Sequence, residues 1–409
     1  MNTDELKQYA SVLLKKGLNL QEQQILVINA PVEAEGFVAL LTETAYEHGA
    51  SQVVINWRSD AATRLRFLHE KQDNFEEFPD WRRDFSLTYY RKNAAFLSLV
   101  SANPTLMKDV DTQKIMAWQK AQHAALEEYV HGMMASKVTW VVAAVASKVW
   151  AQLIFPEVQE NEAISRLWQL IIAGSRANGN NPLADWELHL ENLRQRRNWM
   201  TEKQFIKLHY QSKNGTDLTV GLPREHIWQG GAETAGNGIL FNANIPTEEI
   251  YSAPLRTAVD GIVYSTKPLV YNGSIIDDFA LTFKAGRVVA VKAGRGEKLL
   301  EEMIGLDEGA AYLGEIALVP YHSPISLSGT LYYETLFDEN ASCHLAFGKA
   351  YPTCLKGGTE LSAEQALQAG LNDSLIHVDF MVGTQDLSIT GIQEDGTEIP
   401  VFTNGDFAQ

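Results

Sequence analysis

The stretch QILVINAPVEAEGFVALLTETAYEHGASQVVINW, residues 24–57, carries the clearest fold signal in this chain of 409 residues. It predicts a compact apolar strand at 24–30, a helix at 33–48 that ends at Gly49, and a second strand at 51–57. Two strands connected through a helix usually lie parallel in one sheet. Strands predicted at 95–100 and 138–146 and helices at 112–130 and 160–175 continue the alternation, so the first half is predicted to be an open α/β domain with a parallel sheet.

The turn that follows the first strand reads NAPVEAEG, so the glycine pattern of a dinucleotide-binding loop is missing. A long polar helix is predicted at 183–200, and we place the domain boundary there. The predicted domains are residues 1–200 and residues 201–409, in line with a chain too long for one ordinary core.

The second half is richer in strands and is predicted to be an α+β domain. Residues 279–284 and 287–293, joined by Ala285-Gly286, read as a hairpin. A short helix is predicted at 297–304 and an apolar strand at 315–319.

Composition limits the possible classes of protein. Hydrophobic residues make up 45% and charged residues 21%, which is typical of a soluble globular chain. No run approaches the roughly 18 apolar residues of a membrane span, and the N-terminus does not resemble a signal peptide. The only cysteines are Cys343 and Cys354, so a disulfide framework is not expected and a cytoplasmic location is predicted.

The net charge of −17 is concentrated in the second half, where 27 Asp+Glu stand against 13 Lys+Arg in residues 201–409. Such a surface repels phosphates, which argues against a nucleic-acid partner. It is compatible with binding of cations, including metal ions and protonated amines.

The string SLIHVDFMVG, residues 374–383, is the most informative functional feature. Read as a strand, it places Ile376, Val378, Phe380 and Val382 on one apolar face and His377 and Asp379 together on the other. Polar groups beside a buried face need partners. A metal ion shared with other acidic residues would provide them, and so would an ordinary His–Asp hydrogen bond.

Three further clusters add acids and a histidine. They are NIPTEEIY (244–251) with Glu248 and Glu249, LGEIALVP (313–320) with Glu315, and DENASCHLAFGKAY (338–351) with Glu339, His344 and Tyr351. With Glu249 taken from the adjacent pair, the four motifs offer four carboxylates and two imidazoles: Glu249, Glu315, Glu339, Asp379, His344 and His377. This set suits a pair of zinc, cobalt, manganese or magnesium ions with one bridging carboxylate. Taken singly, the same residues could be helix-opening acids, turn residues or a hydrogen-bonded core histidine.

Together, in this order, the four motifs resemble the aminopeptidase T / aminopeptidase S family of metallopeptidases. The resemblance implies that residues 201–409 form a metallopeptidase domain holding two divalent ions. The implied metal ligands are Glu249, Glu315, Glu339, His344, His377 and Asp379. It further implies Glu315 as the bridging carboxylate, which with Tyr351 acts in catalysis, whereas Glu339 or Glu248 could instead carry protons.

The resemblance also implies a broad-specificity exopeptidase that acts on peptides with a free N-terminus and works as a homodimer. The first domain would then shape access to the site and contribute to the dimer. Two other functions fit the residues. One is a metal-dependent amidohydrolase acting on small amides, which would not discriminate against N-acetylated substrates. The other is a non-catalytic α/β nucleotide-binding protein, which would hold no transition metal.

Overall fold

A computed structural model describes residues 3–271 and 274–408. Its α-helices, in chain order, are α1 (Thr3–Val12), α2 (Glu35–Glu47), α3 (Asp60–His69), α4 (Asp80–Arg91), α5 (Thr112–Ala125), α6 (Glu127–Met134), α7 (Lys148–Ile154), α8 (Glu160–Gly174), α9 (Pro182–Lys203), α10 (Glu297–Ile304), α11 (Pro324–Leu327), α12 (Thr335–Glu339) and α13 (Ala363–Gln368). Its strands are β1 (Ile25–Pro31), β2 (Gln52–Arg58), β3 (Ala95–Val100), β4 (Trp140–Ala144), β5 (Lys207–Gln211), β6 (Asp217–Gly221), β7 (Glu233–Thr234), β8 (Leu240–Phe241), β9 (Asn244–Ile245), β10 (Ile250–Ser252), β11 (Val259–Tyr264), β12 (Leu269–Tyr271), β13 (Ser274–Lys284), β14 (Arg287–Arg295), β15 (Leu313–Leu318), β16 (His344–Gly348), β17 (His377–Met381), β18 (Ser388–Ile392), β19 (Glu398–Thr403) and β20 (Asp406–Phe407).

The chain divides into two compact units. The first unit runs to Leu188 and also includes Ala232–Pro246, and the second contains His189–Gly231 and the chain from Thr247 onward. The chain thus passes between the units three times, whereas the sequence predicts one boundary at residue 200. The segment Ala232–Pro246 returns to the first unit because its strand β9 pairs with β4, a long-range pairing that local sequence does not reveal.

The first unit is built on a five-stranded sheet in the order β2-β1-β3-β4-β9, in which all neighbours are parallel. Leu26, Val27 and Ile28 of β1 are fully buried, as expected of a central parallel strand covered on both faces. The predicted βαβ unit and parallel sheet are confirmed. The helix predicted at 112–130 is instead two helices, α5 and α6, which meet at the buried residue Leu126.

The second unit contains a large antiparallel sheet, in the order β12-β13-β11-β6-β5-β18-β19-β20 with β14 paired to β13, and a four-stranded antiparallel sheet, β10-β15-β16-β17. We call the four-stranded sheet the site sheet. One apolar cluster contains buried residues of both sheets, among them Leu208 of β5, Ile316 of β15 and Phe347 of β16. The predicted hairpin is present as β13 and β14, and the predicted short helix as α10.

The chain is therefore a mixed α/β protein that combines a parallel sheet with antiparallel sheets. Within the described residues, no helix has both the length and the apolar character that crossing a bilayer requires.

Candidate metal centre

Five of the six side chains predicted to bind metal lie on or directly beside the site sheet. Glu249 immediately precedes β10, Glu315 lies within β15, and His344 is the first residue of β16. His377 and Asp379 lie on β17. The four motifs, which are separated by up to 130 residues in the chain, thus meet on adjacent strands.

The strand register places these side chains on the same face of the sheet. Ala346 pairs with Glu315 on one neighbouring strand and with Asp379 on the other. His344 is two residues before Ala346, and His377 is two residues before Asp379. Directly paired residues share a face, as do residues two apart along a strand, so the carboxylates and imidazoles project to one side.

The opposite face of the site sheet is apolar. Ile316, Leu345 and Phe380 are fully or almost fully buried in the core of the second unit, and Val378 packs against it. The same cluster contains Val382 and contacts Ile376, which confirms the buried face predicted for residues 374–383. Burial of this face fixes the register, because a slip of one residue would bring the charged groups into the core.

The polar side chains form two groups that share Glu315. Glu249, Glu315 and His344 offer ligand atoms that all lie within 4.8 Å of one another, and so do Glu315, His377 and Asp379. Glu315 Oε1 lies 3.4 Å from His344 Nε2, while its Oε2 lies 3.6 Å from His377 Nε2. The two oxygens of one carboxylate therefore face two different imidazoles.

The adjacent pair Glu248 and Glu249 separates in space. Glu249 Oε2 lies 3.1 Å from His344 Nε2, whereas Glu248 Oε2 lies 3.9 Å from His189 Nε2. The backbone N–H of Glu248 donates to Asn340 Oδ1 at 2.7 Å. Of the two acids, Glu249 is the one placed in the cluster.

Glu339, the last residue of α12, lies beside the cluster but outside both groups of three. Burial raises the pKa of its carboxyl well above the usual value, and the negative charges of Glu249 and Asp379 raise it further. Burial and the negative charge of the centre therefore make the protonated form of Glu339 more favourable than that of an ordinary glutamate.

Tyr351 follows the end of β16 and borders the cluster. Its ring centroid lies 5.0 Å from that of His377 and 5.8 Å from that of Tyr251. Burial of part of the side chain raises the pKa of Tyr351, and the charges of Glu315 and Asp379 add to the effect. Its hydroxyl accordingly stays protonated and can donate a hydrogen bond at neutral pH.

Backbone carbonyls orient both imidazoles. His344 Nδ1 lies 3.1 Å from the carbonyl oxygen of Ser342, and His377 Nδ1 lies 2.7 Å from that of Lys349. Since a carbonyl can only accept, each Nδ1 carries a proton and each Nε2 faces the carboxylates. This is how proteins usually orient histidines that ligate a metal through Nε2.

The cluster attracts positive charge strongly. Burial lowers the pKa of His377, but Asp379 outweighs this effect and raises it to about 9. Burial likewise opposes protonation of His344, yet Glu249 and Glu315 raise its pKa well above the usual value. Burial and the neighbouring charge of Asp379 raise the pKa of Glu315. A buried group of carboxylates needs cationic partners.

The residues fit divalent metal ions. Glu249 Oε2 and Asp379 Oδ1 are buried and accept no hydrogen bond of good geometry from the residues that the structure describes, although the Nε2 atoms of His344 and His377 lie 3.1 and 3.4 Å away. Carboxylate oxygens and imidazole nitrogens are the donor set of zinc, cobalt and manganese centres. A cation among these atoms would satisfy the acceptors that no well-aligned donor among the described residues meets.

The sequence did not single out several residues that shape the centre. The carbonyls of Ser342 and Lys349 are backbone groups, so no residue type marks them. Tyr251 could have been found, because it lies two residues after Glu249 and alternation puts both on one face. Ala346 is recognisable only once the strand pairing is known.

Comparison with known proteins identifies the family. The model of the family described as thermophilic metalloprotease (M29) matches residues 2–407. The chain is 45% identical to aminopeptidase AmpS of Bacillus subtilis, over 99% of each chain. It is 43% identical to aminopeptidase 2 of Geobacillus stearothermophilus, over 99% of this chain and 98% of the relative.

A solved structure agrees with this match. The wild-type AmpT structure from Thermus thermophilus superposes with a TM-score of 0.93, at 35% identity and with 99% of each chain covered. The predicted resemblance is confirmed over nearly the whole length. This chain belongs to the M29 family of metalloproteases.

Proposed function

We propose that this protein is a metal-dependent aminopeptidase that releases single residues from peptides with a free N-terminus, using two divalent metal ions. Membership of the metalloprotease family and the names of relatives 36–45% identical support aminopeptidase activity. The use of two ions, the ligand set and the roles of individual residues are proposals that rest on the geometry of the site.

The observation that carries the two-metal proposal is the position of Glu315 between two imidazoles. We propose that Glu315 would bind both ions, which would be zinc, cobalt, manganese or magnesium. Glu249 and His344 would complete one side, and His377 and Asp379 the other, following the two groups that share Glu315. Two adjacent ions bridged by one carboxylate are a common arrangement in hydrolases, including aminopeptidases.

Glu339 completes the proposed set of six ligands. Its place beside Glu249 and Asp379 supports either ligation or proton transfer. In the second role it would carry a proton to the departing amine, a task for which a raised pKa is suitable. Glu248 is the other candidate for that task, but its side chain faces His189 rather than His344.

Bound at this site, two divalent ions would lower the pKa of a water molecule and polarise the scissile carbonyl. The protein's own contribution is the arrangement of the surrounding groups. The Tyr351 hydroxyl, held protonated, would donate a hydrogen bond to the oxygen that gains negative charge during attack. The carbonyls of Ser342 and Lys349 keep the Nε2 atoms of His344 and His377 directed at the centre.

Charge supports the preference for peptide ends. Residues 201–409 carry 27 acidic against 13 basic side chains, so the positively charged N-terminus of a peptide is attracted to this half. Acetylation of the N-terminus removes its positive charge and with it this attraction. We therefore propose that free N-termini, rather than internal peptide bonds or small neutral amides, are the substrate.

Two further proposals follow the family resemblance, and a third follows the cysteine content. The protein would be a homodimer, the first 200 residues would shape access and contribute to dimerisation, and the protein would work in the cytoplasm. Cys343 and Cys354 are both buried and unpaired, which suits a reducing compartment. Analytical ultracentrifugation would measure the oligomeric state, with a monomer at micromolar concentration contradicting the dimer.

Metal analysis combined with peptide hydrolysis tests the main proposal. The purified protein is expected to hold about two divalent ions per chain and to release the N-terminal residue of a leucyl peptide, but not that of its N-acetylated form. EDTA should abolish the activity, and zinc, cobalt, manganese or magnesium should restore it. Full activity after complete removal of metal would contradict the proposal.

The variant His377→Ala should lose metal and activity together. A matched control is His209→Ala, because His209 and Asp217 also form a His–Asp pair, 2.7 Å apart, but on β5 and β6. That control should keep both metal and activity. Unchanged metal content and turnover in His377→Ala would remove this residue from the site.

A further inference from the structure

The second unit contains a cavity at one end of the site sheet. It has a volume of about 370 Å³ and lies where β15 and β17 end and β16 begins, at Val319, Gly383 and Cys343. Its size falls in the range of small-molecule sites, about 300–1,000 Å³. None of the six proposed metal ligands lines it, although Ser342, whose carbonyl orients His344, does. The cavity thus adjoins the metal centre without sharing its ligands.

Lys267 is the single charged side chain among the described residues that line the cavity. It follows β11, and its ammonium makes no hydrogen bond or ion pair within the described part of the chain. Burial lowers the pKa of Lys267, an effect that the charge of Asp338 partly offsets. An ammonium drawn out of water without a direct partner is unfavourable, and an anion in the cavity would relieve this.

The remaining wall combines hydroxyl and apolar residues. Ser326 and Thr330 are hydroxyl residues of the lining, whereas Pro268, Tyr321 and Leu331 are apolar lining residues that are partly exposed. A small inorganic anion would pair with Lys267 but would leave the apolar wall unused. The lining matches a molecule that carries one carboxylate and an apolar side chain.

We propose that this cavity binds the α-carboxylate of an amino acid or of a short peptide. The carboxylate pairs with the Lys267 ammonium, and the adjacent side chain contacts Pro268, Tyr321 and Leu331. The ligand chemistry follows from the cavity alone. Only the source of the ligand rests on the proposed function, because an aminopeptidase releases amino acids and shortens peptides.

Calorimetric titration of the metal-loaded, full-length protein tests the proposal. The probes are N-acetylleucine and N-acetylalanylleucine, which have a carboxylate but no free amine, with N-acetylleucinamide and inorganic phosphate as controls. Both carboxylates are expected to bind saturably, while the amide and phosphate bind at least about tenfold more weakly. Tighter binding of the dipeptide would identify a peptide C-terminus as the ligand, and tighter binding of N-acetylleucine the free amino acid.

Variants locate the binding. Lys267→Met should weaken binding of the carboxylates by about tenfold or more, whereas Lys267→Arg, which keeps the charge, should retain it. Lys298→Met serves as a matched control, because the Lys298 side chain is 89% exposed on α10, and should bind like the wild type. Asp379→Asn should also retain binding, since Asp379 belongs to the metal centre.

Three results would overturn the proposal. They are a wild-type protein that binds neither carboxylate, a Lys267→Met variant that binds as tightly as the wild type, and phosphate that binds as tightly as N-acetylleucine. Binding that is lost in Asp379→Asn but kept in Lys267→Met would place the carboxylate at the metal centre. That outcome would overturn the cavity site and leave the proposed aminopeptidase activity intact, so the two can fail separately.

Discussion

Replacing Gly348 by alanine is expected to disable the centre without removing any of its proposed ligands. Gly348 has a φ of +92° and pairs in register with His377 across β16 and β17. A Cβ added to Gly348 would lie 2.1 Å from the carbonyl oxygen of Ile376, although Cβ contacts below 3.0 Å are essentially never found. The backbone immediately before His377 must therefore move by about 0.9 Å, the difference between the two distances.

A displacement of about 1 Å in a catalytic constellation lowers the rate by on the order of 10²-fold. The kcat/KM of Gly348→Ala for a leucyl peptide should therefore fall about 100-fold, and metal affinity should fall with it. The positive φ adds a backbone strain of about 1–2 kcal/mol, which lowers the free energy of unfolding. Steady-state hydrolysis, metal analysis and urea denaturation measure the three effects.

The control variant Gly396→Ala separates the effect of the steric clash from the effect of the backbone strain. Gly396 has a similar φ of +85°, but a Cβ there would meet no atom within 4 Å. This control should show a comparable loss of stability from strain and normal kcat/KM. If both variants hydrolyse the peptide equally fast, the position of β17 does not control the centre and the reasoning is wrong.

Three other changes test single groups. Glu315→Gln should reduce the bound metal from about two ions to at most one per chain, measured by elemental analysis, because an amide cannot bridge two cations as a carboxylate does. Tyr351→Phe should keep its metal but lower kcat by about 10²–10³-fold, because a donor to the developing oxyanion is lost. Burial raises the pKa of Glu334 from 4.5 to about 7, so the folded state favours the protonated carboxyl. The free energy of unfolding should therefore decrease as the pH rises from about 4.5 to about 7. Glu334→Gln should therefore be more stable than the wild type at pH 8 by up to about 3 kcal/mol in urea denaturation, a difference that shrinks toward zero near pH 4.5.

Each of these expectations has a result that contradicts it. Two ions per chain in Glu315→Gln would exclude the bridging role of Glu315. A normal kcat in Tyr351→Phe would remove its hydroxyl from the reaction. Glu334 Oε2 has no hydrogen-bond partner among the described residues. Equal free energies of unfolding of wild type and Glu334→Gln at both pH values would show that ionisation of this buried carboxyl does not destabilise the folded protein.

Local sequence patterns predicted much of the architecture correctly. The βαβ unit at the start of the chain, the hairpin of β13 and β14, and the apolar face of residues 374–383 all depend on periodicity and turn chemistry, which act over a few residues. The break between α5 and α6 was not predicted, because burial of Leu126 depends on surrounding elements. The return of Ala232–Pro246 to the first unit was not predicted either, since β9 joins a sheet whose other strands lie about 100 residues or more earlier.

The residue types of the candidate centre could be read from four motifs, but not their convergence. His377 and Asp379 share a face through strand alternation alone, so the sequence determined that pair. Their meeting with Glu315 depends on the antiparallel pairing of β15, β16 and β17, in which Ala346 lies between the two carboxylates. The family resemblance already implied Glu249 rather than Glu248 as the ligand, but residue type alone does not separate the two. The structure shows that Glu249 is the one that reaches His344, whereas Glu248 faces His189.

The sequence by itself therefore determined the chemistry that the chain offers: a parallel α/β half, an acidic half, and the carboxylates and imidazoles of four motifs. Only the tertiary structure decided how those groups are arranged, with the two oxygens of Glu315 facing His344 and His377. It also made Lys267 the single charged side chain among the described residues that line the neighbouring cavity. The physical reason is the distance along the chain over which each effect acts. Side-chain chemistry and strand alternation are local properties, whereas register, burial and the meeting of distant charges arise when strands far apart in the chain pair over a common core.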